Sequence, residues 1–137
     1  MNRYLIIPLL LLVVIRTEKA AACIDVEAPS YMEVLHSAFQ QGSTKELAKY
    51  FHQNLQLRLG DHAGKFSKGQ AEFLLSDFFK KYPPQEFEVA HNGETSDETR
   101  YILGYFSSEG KNFVFLVKGK RDEKGVLKIF ELELRIA

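Results

Sequence analysis

The residues that could do chemistry are few and scattered. A general acid or base works best with a pKa near neutrality, and burial among apolar groups is one way a side chain gets there. His91 lies two and four residues beyond Val89 and Phe87. On a strand it would share their apolar face and point where they point. The plainer reading is a hydrogen-bonded histidine near a strand end. Tyr101 and Tyr105 sit at even spacing and could offer hydroxyls to a ligand, although such tyrosines are more often core residues with a wet tip. These three are the candidate ligand-binding residues. Glu131 and Glu133 would be a strong lead if buried together, but their alternation with Leu132 and Leu134 more simply marks the wet side of a strand. Asp61-His62 falls in a turn flanked by Gly60 and Gly64, where it could rim a site or just be solvated.

Metal and cofactor chemistry find less support. The four histidines are His36, His52, His62 and His91, no two at the close helical spacing of a zinc site, and Cys23 is the only cysteine. No G-x-S-x-G elbow, phosphate-binding glycine loop or dinucleotide fingerprint occurs. No catalytic residue, metal site or cofactor is expected.

Residues 1–22 have the form of an export signal. Asn2 and Arg3 open it, Leu5 to Ile15 is an apolar run of eleven residues, and Ala20-Ala21-Ala22 is a small-residue cleavage site. The run is too short to span a bilayer as a stable helix. Cleavage after Ala22 leaves Cys23 at the new N-terminus, where bacterial lipoproteins are acylated. The match to a lipobox is partial, because Ala20 stands where leucine is usual and Arg16-Thr17-Glu18-Lys19 precedes it. Simple secretion is the expectation, periplasmic or beyond, and a membrane tether through a lipidated Cys23 is the alternative. A lone cysteine leaves no intrachain disulfide to staple the fold.

The remaining 115 residues suffice for one domain with one core, with 23–29 as a short linker and 30–137 as the domain. Without Arg3, Arg16, Lys19 and Glu18 of the leader, 15 basic residues face 17 acidic ones. That balance argues against a general nucleic-acid binder and against a polybasic membrane patch, so membrane contact is expected only through the leader or a lipid.

The elements that must position any site follow from periodicity. Helical signals run from Ser30 to Gln41, with a capping box at Ser30 and Glu33 and Gly42 at the end. Ser43 and Glu46 predict another box and a second helix carrying Leu47, Tyr50 and Phe51 on one side. Leu55 to Leu59 alternates as a strand, Gly60 to Gly64 reads as a turn, and Lys65-Phe66 as a short return strand. The clearest helix begins at Ser67, boxed by Gln70, presents Ala71, Leu74, Leu75, Phe78, Phe79 and Tyr82 on one stripe, and ends at Pro83-Pro84. Beyond it the period is two. Strands are expected around Phe87–His91, Tyr101–Phe106, Phe113–Val117 and Leu127–Ile136, with turns at Asn92-Gly93, Ser107–Gly110 and Asp122–Gly125. The strand at 113–117 is apolar on both faces and should be central. Helices followed by strands joined through short links give an α+β domain with antiparallel neighbours.

With that order of elements, the stretches LAKYFHQNLQLRL (47–59), FSKGQAEFLLSDFFKKYPPQEFEVAHNG (66–93) and LKIFELELRI (127–136) resemble a bacterial family of small exported proteins of unassigned function in the nuclear transport factor 2-like (cystatin-like) superfamily. The resemblance covers about residues 28–137. It implies an α+β cone, with helices packed on a curved antiparallel sheet around a cavity. It implies no activity, since that superfamily holds isomerases, dehydratases, cyclases and many binding domains. The expected function is an exported non-catalytic domain that binds a small apolar ligand in its cone, or a protein partner. A homodimeric assembly module is the alternative, and an isomerase- or cyclase-like enzyme a more distant one.

Overall fold

In the computed structural model of the chain, residues 31–137 are described. The expected leader 1–22, the Ala22–Cys23 junction, the linker 23–29 and the Ser30 cap lie outside the described residues. The elements are α1 (Tyr31–Gln41), α2 (Lys45–Ala48), β1 (Phe51–Leu59), β2 (His62–Ser67), α3 (Lys68–Lys81), β3 (Glu86–Glu94), β4 (Arg100–Ser108), β5 (Lys111–Arg121) and β6 (Leu127–Ile136). The six strands form one sheet in the order β2-β1-β6-β5-β4-β3. Neighbours are antiparallel except β1 and β6, which run parallel. β5 is internal, as its two apolar faces require.

Three irregularities bend the sheet. The pairing slips between Val89 and His91 in β3, at Phe130 in β6, and between Phe51 and Gln56 in β1. An extra residue on one strand increases local twist and curls the sheet over the helices. One face then carries the core: Leu55 and Leu57, Ile102 and Phe106, Phe113, Phe115 and Val117, Ile129, Leu132 and Leu134 are all buried. The helices close that face with Leu35, Ala38 and Phe39 from α1, Leu47 from α2, and Ala71, Leu75 and Phe79 from α3.

The long helix forms as its sequence dictates. Ser67 Oγ accepts from the Gln70 N–H and Gln70 Oε1 accepts from the Ser67 N–H, each at 3.3 Å. The apolar stripe divides, however. Ala71, Leu75 and Phe79 are buried, whereas Leu74, Phe78 and Tyr82 are only half-buried. Gly42 closes α1 with φ +62°, the left-handed conformation glycine adopts without a Cβ clash.

Four local expectations are corrected. The helix predicted from Ser43 is a single turn capped at Thr44 without a side-chain hydrogen bond. Phe51 instead opens β1, because the Ile129 N–H of β6 donates to the Tyr50 carbonyl at 2.6 Å and draws the chain into the sheet. The loop predicted over Gly60–Gly64 is a two-residue turn: Leu59 pairs with His62 across Gly60 (φ +61°) and Asp61, so β2 is a full strand. The Asn92-Gly93 turn does not form. Those residues pair with Ile102 and Tyr101, and the chain reverses at Thr95–Thr99, closed by a Thr95 N–H to Thr99 carbonyl bond of 2.9 Å. Here the Thr95 and Thr99 hydroxyls hold the Asp97 carboxyl below its ordinary pKa. Finally, the strict alternation read through the last strand breaks at the Phe130 bulge, so Ile129 and Leu132 face the same core.

Candidate functional site

α3 follows β2 directly and doubles back over it, so its C-terminal end lies above the β1–β2 turn. Between them is a cavity of about 500 Å³. Its walls are Leu57 and Leu59 of β1, Phe66 of β2, Leu74 and Phe78 of α3, and Phe113 of β5. The half-buried part of the α3 stripe is therefore the inner wall of a cavity. Ile136, 61% exposed, continues the apolar surface at its mouth.

Polar groups collect at one end. Asp61 and His62 come from the tight turn, Asp77 and Lys81 from the last turns of α3, and Tyr82 from its cap. The Tyr82 ring packs on Phe78 and Phe113, with centroids 5.1 and 5.0 Å away. The Lys81 and Lys111 ammonium groups each stand 5.4 Å from its centre, within cation–π range. Apart from half-buried Tyr82, these ionisable side chains are exposed. A buried acid or base is the usual means of proton abstraction in an apolar site, and no ionisable group lies inside this cavity: Asp61, His62, Asp77 and Lys81 stand on its rim, exposed. The arrangement suits holding an apolar body with its polar end in water. Among the described residues no three His, Cys, Asp or Glu side chains gather as a metal site, and no helix is long and apolar enough to cross a membrane.

The residues singled out from the sequence are mostly elsewhere. The bulge at Ala90 breaks the period of β3 after Val89, so His91 pairs with Leu103 on the outer face of the sheet and is exposed. It meets Tyr101 there, with ring centroids 5.6 Å apart. Tyr105 is on the same outer face, 46% exposed. None of the three lines the cavity. Glu131 and Glu133 are on the outer face, as their spacing indicated, but only 18% and 14% exposed beneath their ion-pair partners. Glu131 pairs with Lys118 at 3.1 Å, and Glu133 with Arg135 at 2.6 Å and Arg58 at 3.8 Å. Asp61-His62 does rim the cavity. Asp77, Lys81 and Tyr82 carry no motif. Only the fact that α3 must fold back onto the hairpin it follows could have brought them to the turn.

The model of a family described as "Domain of unknown function (DUF4783)" matches residues 32–135. No curated protein matches the chain. Crystal structures of DUF4783 family proteins superpose on it well. The one from Bacteroides ovatus is 24% identical with a TM-score of 0.70, over 76% of this chain and 93% of that one. The one from Bacteroides uniformis is 23% identical with a TM-score of 0.71, over 77% and 95%. An NTF-2 like protein of unknown function from Silicibacter pomeroyi is 15% identical with a TM-score of 0.54, over 77% and 89%. Likeness at these identities carries the fold.

Proposed function

The chain belongs to the DUF4783 family and has the nuclear transport factor 2-like fold, and from that premise we propose that it is an exported, non-catalytic domain that binds a small apolar ligand in the cavity under α3. The carrying observation is the cavity itself, walled by apolar and aromatic side chains with its polar groups confined to the rim, the usual composition of a small-molecule site. Export rests on the apolar run 5–15 and the Ala20-Ala21-Ala22 site, with a lipid tether at Cys23 as its variant.

Native mass spectrometry of the protein exported by its own leader reads both points. The expected species begins at Cys23 and carries a captured apolar molecule; a diacylglyceryl mass on Cys23 would indicate the tether. Leu59→Trp, placed on the half-buried cavity wall, should abolish capture while the protein stays folded by circular dichroism. Equal capture by wild type and variant would move the ligand out of this cavity.

A second reading is favoured by the outer face. Leu103, Val114 and Leu116 are only half-buried there and Tyr105 is 46% exposed, an apolar strip across β4 and β5 that a second copy could cover. Sedimentation equilibrium should then show a dimer that Leu116→Glu dissociates. A wild-type chain that stays monomeric at high concentration would remove this reading.

A further inference from the structure

We propose that the cavity takes one unbranched alkyl or acyl chain, lying along α3 with its polar end at the Tyr82 rim; this rests on the cavity reading above and names the ligand's class. A second apolar groove of about 390 Å³ lies on the other side of Phe66 and Leu74, which line both spaces. Gly69 and Phe73 form its far wall, and Gln70 is its one polar side chain. Phe73 is 71% exposed, the most exposed large apolar side chain among the described residues. From Gly69 to Lys81, which line the two ends, α3 rises roughly 18 Å at 1.5 Å per residue. The two spaces adjoin at Phe66 and Leu74 along that length.

Polarity runs one way along it. Asp61, His62, Asp77, Lys81 and Tyr82 belong to the first cavity, and no charged side chain lines the second. A compact ring system would fill the first cavity and leave Phe73 wet. A flexible chain passing between Phe66 and Leu74 would cover both, with its single polar group in water at the rim. Both shared side chains are half-buried, and the proposal requires them to part as the chain enters.

The test is calorimetric titration with straight-chain carboxylates of increasing length, on wild type and on Gly69→Leu. A Cβ at Gly69 meets nothing within 4 Å, and leucine is the better helix former, so this variant folds while filling the outer groove. For wild type, affinity should rise about fourfold per added methylene, well beyond the length the first cavity holds. In Gly69→Leu the rise should stop early, with short chains bound as before. A wild-type series that levels off at short chains, or a variant that tracks wild type at every length, overturns the chain proposal. Binding of a compact aromatic probe in that case would leave the cavity reading standing; binding of neither would end both. Native mass spectra after incubation with free carboxylates or with phospholipid vesicles separate the sources. A gain from vesicles assigns the chain to a membrane lipid, a gain from free acid alone assigns it to a fatty acid, and a gain from neither counts against the proposal.

Discussion

Phe39→Ala should destabilise the domain by about 3–5 kcal/mol, the range for removing a fully buried aromatic ring. Phe39 has no exposed surface. Its ring is the point where every layer meets: it packs on Phe79 of α3 at 5.3 Å, Phe87 of β3 at 4.8 Å, Phe106 of β4 at 5.5 Å and Phe115 of β5 at 4.8 Å between centroids. Those neighbours are fixed by strand pairing and by the capped helix, so little can move into the space. Most of the void would persist, and a persistent void adds its own cost to the lost transfer energy. A domain of this size has about 5–15 kcal/mol in all, so a large part of its stability rests on this ring. Urea denaturation should show a lower midpoint at unchanged slope. Phe78→Ala is the control. That ring is half-buried and faces the cavity, so its loss should cost clearly less. Equal losses at the two positions would mean that the cavity wall is as tightly packed as the core.

The contrast between those two phenylalanines marks how far the sequence could be read. Phe39 in α1, with Leu35 and Ala38, and Phe78 in α3, with Leu74 and Leu75, both recur at helical spacing with apolar residues, and period alone gives them the same status. Whether a stripe residue touches a packed layer or an open space depends on how far α3 stands from the hairpin, which no local pattern encodes. The fold class and α3, with its box at Ser67 and Gln70, were legible because each rests on local chemistry or on period. Single-residue insertions were not. Ala90 and Phe130 look like ordinary strand residues, yet each reverses the faces of everything after it. That is why His91, which period alone puts on the face of Phe87 and Val89, stands outside beside Tyr101. Asn92-Gly93 failed for a related reason: its turn preference is worth less than the pairs it makes with β4. Of the cavity, only Asp61-His62 was visible, as a glycine-flanked turn. Its other polar groups come from a helix whose charges look like any solvated face.

Gly104→Ala should be the most damaging glycine-to-alanine substitution in this chain. A Cβ there would fall 2.5 Å from Phe115 Cε1, and closer still to Phe115 Cζ and the Glu88 carbonyl oxygen, whereas real Cβ atoms do not approach inside 3.0 Å. The φ at Gly104 is not positive, so the cost is overlap and not backbone strain. Gly104 is buried opposite Val89, just before the β3 bulge, and pairs with Phe115 on its other side. The Phe115 ring therefore lies over the bare Cα and stacks flat on Phe87, with centroids 4.9 Å apart and planes 12° from parallel. A methyl group must displace both that ring, and with it the packing on Phe39, and the edge strand that supplies the Glu88 carbonyl. Overpacking of this kind typically costs 1–3 kcal/mol, and two simultaneous clashes place Gly104→Ala at about 3 kcal/mol. The unfolded chain returns only about 0.4–1 kcal/mol through its reduced freedom. Adding Phe115→Leu should recover part of the loss, because it relieves the ring and leaves the carbonyl clash; full recovery would show that β3 yields freely. Gly93→Ala sets the scale. Its Cβ would meet only the ring and hydroxyl of Tyr101 on the outer face, the far end of a half-buried side chain and not backbone, and its cost should stay under about 1 kcal/mol. Denaturation midpoints that put Gly104→Ala level with Gly93→Ala would show that β3 is not held against β4 at the bulge, and the account of how the sheet curves there would fail with it.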